Sequence, residues 1–314
     1  MRVLFFASDS FAIEPLEKLA ASTHSVLALV SRPDRPAGRG LRTVPTPAVT
    51  KARELGIEVW QPENLSRQCF GGFVDGVEWD AGVVVAFGGL IPRWLLDVPP
   101  LGFINLHPSL LPRYRGAAPI ERALMNGASI TGVTTIMMNE RLDTGDILEH
   151  QEVPIYDDDN SGVLGARLSH AGAGVLAATL DDIEAGAASP VAQEEDKATY
   201  APPLKAPDAE IDWDRPAESI DRLVRAMNPS PGAHTWFRGK RVKIWAAHVT
   251  EVPPEDEPGT IMNLGKEGFL VNTGSTGIQI VTLQPEGKNR MGAPEFSRGQ
   301  RLLIAESFDS GVED

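Results

Sequence analysis

Two polar side chains lie two residues apart in a short apolar segment, and both suit acyl chemistry. The amide of Asn105 can donate a hydrogen bond to a developing oxyanion, and the imidazole of His107 can transfer a proton. Residues 103–107 predict a strand that ends at Pro108, because proline cannot donate to a sheet. Side chains alternate along a strand, so Asn105 and His107 share a face, while Ile104 and Leu106 point into apolar packing. Open α/β sheets bind ligands at such strand ends.

A carboxylate further along the chain could complete this set. Asp143 lies in Asp-Thr-Gly-Asp, which predicts a tight turn just before the apolar run that begins at Ile147. An acid that orients an imidazole, the imidazole itself and an amide that stabilises an oxyanion form a plausible catalytic set. The alternative is that His107 is a structural histidine whose hydrogen bonds are satisfied within the fold. Spacing alone does not show whether the three groups meet.

These motifs resemble those of the formyltransferases that use 10-formyltetrahydrofolate. The resemblance rests on Asn-x-His-x-Ser-Leu-Leu-Pro at 105–112, Arg-Gly at 115–116 and Asp-Thr-Gly-Asp at 143–146. Other stretches are similar to the family members that act on methionyl-tRNA. They are Pro-Asp-Arg-Pro-Ala-Gly-Arg-Gly at 33–40, Ile-Asp-Trp at 211–213 and the segments 225–232 and 283–288. The match covers nearly the whole chain in family order.

The resemblance implies transfer of a formyl group from 10-formyltetrahydrofolate, a donor co-substrate, to the α-amine of initiator methionyl-tRNA. Asn105 and protonated His107 would then donate hydrogen bonds to the formyl oxygen. Asp143 would orient His107 and hold a water that relays the proton. The attacking amine is the nucleophile, so no Ser or Cys nucleophile is needed. We also expect no metal, because no ligand spacing for one occurs in the sequence.

The segment Phe-Gly-Gly-Leu-Ile-Pro at 87–92 follows an apolar run and combines exposed backbone groups with apolar side chains. That combination suits a flat pterin, although a plain strand-to-helix turn has the same composition. The resemblance favours the folate interpretation. It implies these folate-binding residues: Phe87, Gly88, Leu90, Ile91, Ser109, Leu110, Leu111 and Pro112.

The overall charge of −14 argues against a nucleic-acid partner, but the local charge does not. Residues 35–53 hold five basic residues and no acidic one, and residues 222–243 hold six and again none. Two such patches could steer RNA on an otherwise acidic molecule, although a solvated surface would have the same composition. With the resemblance, we expect the tRNA to contact Arg35, Arg39, Arg42, Arg238, Lys240 and Arg241.

The 314 residues are enough for two domains. Alternating strands and helices at the start predict an α/β fold with a Rossmann-like, doubly wound, mostly parallel sheet over residues 1–187. A proline-rich linker is expected at 188–208, followed by a smaller β-barrel at 209–314 that resembles an OB-fold and is expected to bind tRNA. We expect the chain from about Glu306 onward to be mobile.

Composition indicates where the protein is located and which partners are not expected. A single cysteine, Cys69, excludes an internal disulfide and favours a cytoplasmic location. No uninterrupted apolar run reaches the roughly 18 to 20 residues that span a membrane, so no membrane partner is expected. The sequence implies no stable protein partner, and a monomer is expected.

Several other functions remain in view. An N-formyltransferase for amino-sugar nucleotides would share the Asn-His-Asp set but would not need the arginine-rich loop at 31–47. A formyltetrahydrofolate hydrolase would share the core only, and glycinamide ribonucleotide formyltransferase is usually a shorter chain. The hypothesis of a non-catalytic RNA-binding module does not explain the set Asn105, His107 and Asp143. A dinucleotide oxidoreductase is disfavoured because the first turn lacks G-x-G-x-x-G.

Overall fold

The computed structural model describes residues 1–37 and 42–309, which form two compact units. The first unit comprises Met1–Pro119, Ile130–Pro154 and Gly165–Pro202. The second comprises Ile120–Ser129, Ile155–Leu164 and the chain from Pro203 onward. The expected linker, 188–208, is therefore divided between the units, and residues 188–202 are part of the first.

The first unit is built on a seven-stranded sheet in the order β10-β9-β7-β6-β1-β2-β5. Its elements, including α5 and α6 that continue into the second unit, are β1 (Arg2–Ala7), α1 (Ile13–Ala20), β2 (Ser25–Val30), β3 (Arg35–Ala37), β4 (Arg42–Val44), α2 (Pro47–Glu54), β5 (Glu58–Trp60), α3 (Arg67–Val74), β6 (Ala81–Val85), α4 (Arg93–Leu96), β7 (Phe103–His107), β8 (Arg115–Gly116), α5 (Pro119–Met125), β9 (Ile130–Met137), β10 (Ile147–Pro154), α6 (Ser161–Ala185) and β11 (Tyr200–Ala201).

The sheet is parallel from β7 to β5 and antiparallel at β9 and β10. Every residue of β6 is buried, as expected for a parallel strand covered on both faces. The predicted Rossmann-like, mostly parallel sheet is confirmed. Its central strands carry the apolar side chains of the core, and their carboxyl ends support the loops described below.

Helix α6 covers one face of this sheet. Its Thr179 hydroxyl lies 2.8 Å from that of Thr135 on β9, and its Ser169 hydroxyl donates to the carbonyl oxygen of Phe11. Among the described residues, α6 is the one helix long and apolar enough to cross a membrane. More than half of its most apolar window is buried inside the protein, which is the behaviour of a core helix.

The expected loop at 31–47 contains regular structure. Strands β3 and β4 pair in an antiparallel hairpin, with Arg35 opposite Val44 and Ala37 opposite Arg42. Helix α2 then begins after Thr46, whose hydroxyl accepts a hydrogen bond from the backbone N–H of Val49. Arg39 lies outside the described residues.

The second unit contains a six-stranded antiparallel sheet in the order β12-β13-β16-β15-β14, with β17 paired to β16. Its elements are α7 (Ala217–Ala226), β12 (Ala233–Phe237), β13 (Lys240–Val249), β14 (Ile261–Leu264), β15 (Phe269–Asn272), β16 (Gly277–Pro285), β17 (Met291–Gly292) and α8 (Ala293–Gln300). The predicted second, smaller domain of short strands is confirmed as an antiparallel sheet, and its likeness to an OB-fold barrel stays a prediction.

The end of the described chain joins the two edges of this sheet. Ser307 forms a β-bridge with Thr260, which precedes β14, and Asp309 forms one with Trp236 of β12. Between them Phe308 is only 3% exposed and stacks on Phe269, with ring centroids 5.8 Å apart. The expectation that the chain is mobile from Glu306 onward is therefore wrong for residues 306–309, because Phe308 is part of the core.

The role of Phe308 can be tested by truncating its side chain. Phe308→Ala is expected to lower the free energy of unfolding of the second unit by about 3 to 5 kcal/mol, the usual loss for a buried phenylalanine. Urea unfolding measures this change. The control is Leu303→Ala, at a side chain that is 64% exposed, with an expected change below about 0.5 kcal/mol. Equal effects of the two substitutions would contradict the core position of Phe308.

Candidate active site

Strand β7 positions Asn105 and His107. It lies between β6 and β9, with Asn105 beside Val84 on one side and His107 beside Thr134 on the other. The two side chains share the face of Phe103, whose ring packs against Phe6 with centroids 5.4 Å apart. On the opposite face, Ile104 and Leu106 are buried, as predicted. An amide and an imidazole thus follow directly on the apolar core.

Asp143 reaches this pair from the connection between β9 and β10. Its Oδ1 accepts a hydrogen bond of 3.4 Å from Asn105 Nδ2, and its Oδ2 accepts one of 2.9 Å from the backbone N–H of Gly116. The same Oδ2 lies 3.8 Å from His107 Nδ1. The side chains of His107 and Asp143 are only 6% and 9% exposed. The three groups singled out in the sequence therefore meet.

The two ring nitrogens of His107 have different surroundings. Nε2 lies 3.0 Å from the backbone carbonyl oxygen of Tyr114. A carbonyl oxygen can only accept, so Nε2 carries a proton and donates it there. Nδ1 is left facing Asp143 at a distance longer than a hydrogen bond. His107 Nδ1 and the Asp143 carboxylate can therefore both form hydrogen bonds to a polar atom of a substrate or a water.

Two glycines allow the backbone to approach the site closely. Gly116 has φ +123°, and a Cβ there would lie 2.6 Å from the carbonyl oxygen of Ala201 on β11. At Gly145 a Cβ would lie 1.8 Å from the carbonyl oxygen of Met137. Asp143 itself has φ +53°, in the left-handed region that Asp tolerates better than most residues. Positions 116 and 145 near the carboxylate thus require glycine, and position 143 favours a residue such as Asp.

A buried arginine and two residues of the expected linker lie directly behind Asp143. Arg115 is 1% exposed and forms an ion pair with Glu195, with Nη1 2.9 Å from Oε2. This contact lowers the pKa of the Glu195 carboxyl and raises that of the Arg115 guanidinium. Gln193 bonds to Arg115 and to the backbone of the Asp143 turn. Sequence reasoning missed these contacts, because residues 188–208 were expected to form a linker.

The predicted folate residues differ in their surroundings. Phe87 packs into the core, with its ring centroid 5.7 Å from that of Phe6, and Leu90 is 77% exposed. Ile91, Ser109 and Leu111 are buried. Leu110 and Pro112 are partly buried, and Gly88 is exposed. The Ser109 hydroxyl donates to the carbonyl oxygen of Arg113 and so shapes its own loop.

A cavity of about 520 Å³ lies at the amino end of β7. Phe103 and Met138 line it, together with polar groups that sequence reasoning did not select. The remaining lining residues are Arg93, Leu96, Asp97, Gly102, Asn139, Glu140 and Arg141. None of these lining residues is a predicted catalytic or folate-binding residue.

A second cluster with metal-ligand chemistry lies elsewhere in the first unit. His24, Asp181 and Glu184 offer ligand atoms within 4.8 Å of one another. The amino group of Met1 already lies there, 2.7 Å from Glu184 and 3.2 Å from His24 Nδ1. The positive charge of the Met1 amino group thus already balances the acidic groups of this cluster.

The second unit carries a basic surface built around Trp245. The guanidinium of Arg290 lies 3.5 Å from the centre of the indole, and the ammonium of Lys243 lies 5.6 Å from it. Partial burial and the nearby Arg241 and Arg290 lower the pKa of Lys243, whose ammonium also donates to the carbonyl oxygen of Pro231. Lys240 and Arg241 are exposed nearby. Lys243, Trp245 and Arg290 were not predicted.

The guanidinium of Arg238 is occupied by contacts within the second unit. Its guanidinium forms an ion pair with Glu306, donates to the carbonyl oxygen of Gln300 and lies over the ring of Phe237. The ion pair lowers the pKa of the Glu306 carboxyl. The Arg238 side chain therefore helps to hold residues near Glu306 against the rest of the second unit.

Comparison with known proteins identifies the family. The formyl transferase family matches residues 1–180, and the formyl transferase C-terminal domain matches residues 203–301. The chain is 43% identical over 310 residues to the methionyl-tRNA formyltransferase of Carboxydothermus hydrogenoformans, across 98% of this chain and all of that one. The chain belongs to the methionyl-tRNA formyltransferase family. It is therefore a formyltransferase.

Two solved structures share the fold of this formyltransferase at low identity. HypX from Aquifex aeolicus in complex with tetrahydrofolic acid has a TM-score of 0.66 and 17% identity, over 98% of this chain and 48% of that one. An N-formyltransferase from Helicobacter canadensis, in complex with folinic acid and dTDP-3-aminofucose, has a TM-score of 0.67 and 15% identity. That likeness covers 90% of this chain and 98% of the other. Both comparisons show the fold alone.

The close approach at Gly116 gives a stability test for this formyltransferase. Gly116→Ala is expected to destabilise it by about 1 to 3 kcal/mol through backbone strain, with a further loss from the contact to Ala201. The matched control is Gly174→Ala on α6, where a Cβ meets nothing within 4 Å, so stability should stay equal or rise by about 0.5 to 1 kcal/mol. Thermal unfolding of both variants measures the difference. A Gly116→Ala variant as stable as the parent would contradict the geometry described here.

Proposed function

We propose that this formyltransferase transfers the formyl group of 10-formyltetrahydrofolate to the α-amine of methionyl-initiator-tRNA. The observation that carries the proposal is the meeting of Asn105, His107 and Asp143 at strand β7. The full-length likeness to a methionyl-tRNA formyltransferase at 43% identity supports the choice of acceptor. We also propose that the protein is cytoplasmic, that it uses no metal and that it acts as a monomer.

In this proposal, Asn105 stabilises the oxyanion. The amine attacks the formyl carbon, a C–N bond forms, and negative charge develops on the formyl oxygen as the tetrahedral intermediate appears. One N–H of the Asn105 amide points to Asp143, and the amide has a second N–H to donate to that oxygen. When the intermediate collapses, the bond between the formyl carbon and N10 breaks and N10 takes up a proton.

His107 stabilises the oxyanion further, and Asp143 moves the proton. Because Nε2 of His107 is bonded to the carbonyl of Tyr114, Nδ1 is the ring atom available to the substrate. Protonated at Nδ1, His107 donates a second hydrogen bond to the oxyanion, with the Asp143 carboxylate 3.8 Å away to balance its charge. Asp143 also accepts from the attacking amine, directly or through a water, and so carries the proton toward N10.

The folate is expected to bind the two segments predicted from the resemblance. Phe87, Gly88, Leu90 and Ile91 combine apolar side chains with backbone groups that suit the flat pterin and its edge. Residues 109–112, which follow His107 along the chain, are candidates for the rest of the donor. Among all these residues, Leu90 is the one with a large apolar side chain open to solvent.

Two basic regions are proposed to contact the tRNA. In the first unit they are Arg35, Arg39 and Arg42, as predicted from the resemblance. In the second unit, Lys240 and Arg241 stay candidates, joined by Lys243 and Arg290 beside the indole of Trp245. Arg238 is a weaker candidate because Glu306 and Gln300 already bind its guanidinium. Basic groups grouped on one surface suit an RNA backbone.

The alternative acceptor is an amino-sugar nucleotide. An N-formyltransferase crystallised with dTDP-3-aminofucose shares the fold. One assay separates the two: the protein is incubated with 10-formyltetrahydrofolate and either methionyl-tRNA or an amino-sugar nucleotide. Formylmethionine on the tRNA, identified by mass spectrometry, is the expected product, and product formed only from the sugar would overturn the proposal.

Substitution of the catalytic set should lower turnover. Asn105→Ala and His107→Asn are each expected to reduce kcat by roughly 10²- to 10³-fold, the usual loss when an oxyanion donor is removed, with little change in folate affinity. Steady-state formylation and folate titration measure the two effects. His170→Asn is the control, because that imidazole is 82% exposed and pairs with Glu14 on the surface. Near-normal turnover of either variant would remove that residue from the mechanism.

Removal of basic groups around Trp245 should weaken RNA binding alone. Lys243→Ala or Arg290→Ala is expected to raise KM for methionyl-tRNA roughly tenfold, about 1.4 kcal/mol, because a charge-assisted contact to phosphate is lost. The KM for folate should not change, and the salt dependence of tRNA binding should become shallower. Lys266→Ala, an exposed lysine of the same unit, is the control. If Lys243→Ala and Arg290→Ala behaved as Lys266→Ala does, the tRNA would bind elsewhere.

A further inference from the structure

The side-chain amide of Gln193 lies between the Asp143 turn and the buried Arg115. Its Nε2 donates hydrogen bonds of 3.0 Å to the carbonyl oxygen of Asp143 and 2.7 Å to that of Gly145. Its Oε1 accepts bonds of 3.0 and 2.8 Å from Nε and Nη2 of Arg115. We propose that Gln193 is a positioning residue for formyl transfer, which sets the position of the Asp143 carboxylate. This inference rests on the proposed function.

The hydrogen bonds of Gln193 leave its amide no capacity for a ligand. A primary amide has two N–H donors and one carbonyl oxygen with two lone pairs. Both donors go to the Asp143 turn and both lone pairs go to Arg115. Gln193 therefore acts on the reaction through Asp143 and not by contact with a substrate.

Arg115 fixes the orientation of this amide. A guanidinium can only donate, and the carbonyl groups of Asp143 and Gly145 can only accept, so one orientation alone satisfies both sides. Arg115 is 1% exposed and is held by two bonds to the Glu195 carboxylate. The amide of Gln193 thus presents its donors to the Asp143 turn from a rigid support.

The held turn includes a left-handed residue. Asp143 has φ +53°, a conformation that Asp tolerates better than most residues and that contacts from the surroundings favour. Gln193 binds the carbonyl on each side of Thr144 and so fixes the residue from which the carboxylate projects. That carboxylate lies 2.9 Å from the Gly116 N–H and 3.8 Å from His107 Nδ1, distances that depend on this placement.

Other contacts hold the segment 193–201 in place when the amide is removed. The Arg115 N–H donates to the carbonyl of Thr199, and the Tyr114 N–H donates to the Thr199 hydroxyl. Strand β11 pairs with β8, and the Ala117 N–H donates to the carbonyl of Ala201. Loss of the Gln193 amide should therefore leave the fold intact and release the Asp143 turn alone.

The test compares Gln193→Ala and Gln193→Glu with Glu194→Gln. Gln193→Glu keeps the size of the side chain and its acceptor for Arg115, but it turns a carboxylate oxygen toward two carbonyl oxygens. Glu194 is adjacent in sequence and pairs with Lys197 at the surface, so Glu194→Gln is the matched control. Both Gln193 variants are expected to lose about 10- to 100-fold in kcat, with KM for folate unchanged, because a small misplacement of a catalytic group costs that much.

A double-mutant comparison separates positioning from a general structural effect. In an Asp143→Asn background, Gln193→Ala should lower kcat by no more than about twofold further, since the group that it positions has already been changed. A full additional loss in the double variant would overturn the inference, as would wild-type kcat in both Gln193 variants while the parent enzyme formylates methionyl-tRNA.

A readout without catalysis keeps this test independent of the proposed function. Hydrogen exchange of a peptide covering residues 139–146 should be faster in Gln193→Ala than in the parent and in Glu194→Gln. If the parent formed no formylmethionyl-tRNA, the proposed function would fall, and unchanged exchange in this peptide would then overturn the positioning role as well. Should Gln193→Ala not fold, Gln193→Met provides the same comparison with a side chain of similar length.

Discussion

The site depends on where one carboxylate is held. Asp143 lies on a turn far along the chain from Asn105 and His107, and it accepts hydrogen bonds from the Asn105 amide and from the backbone of Gly116. The strand places the first two groups on one face because its side chains alternate over an apolar core, and the Tyr114 carbonyl orients the His107 ring. The carboxylate has no comparable element beneath it. Its position is set by glycine contacts, by a left-handed backbone and by Gln193, which is why the segment after α6 matters to the chemistry.

The sequence predicted the parts of this site that follow from local rules. Alternation along residues 103–107 placed Asn105 and His107 on one face, and the Thr-Gly-Asp turn placed Asp143 before a strand. The apolar run at 81–87 predicted a parallel strand covered on both faces, and the structure has a fully buried strand at Ala81–Val85. The Rossmann-like sheet and the separate antiparallel domain follow from the same periodicities. The family resemblance supplied the activity, which the comparisons support over the full length of the chain.

Contacts between distant segments could not be predicted in the same way. Gln193 lies 50 residues from Asp143 in a stretch whose prolines and charges suggest a linker, and only tertiary structure shows its bonds. The same is true of Phe308, whose aromatic partners come from three other elements of the second unit. Which nitrogen of His107 faces the substrate depends on the Tyr114 carbonyl, and the walls of the cavity depend on how α4 meets the turn after β9. Periodicity and composition carry no information on these pairings.

The most direct measurement is a crystal structure of the protein with a stable formyl-folate analogue. The account predicts that the pterin lies along residues 87–92. It also predicts that the formyl oxygen lies about 3 Å from Asn105 Nδ2 and from His107 Nδ1, within hydrogen-bond distance of both. A formyl group bound beyond the reach of these two atoms would contradict it.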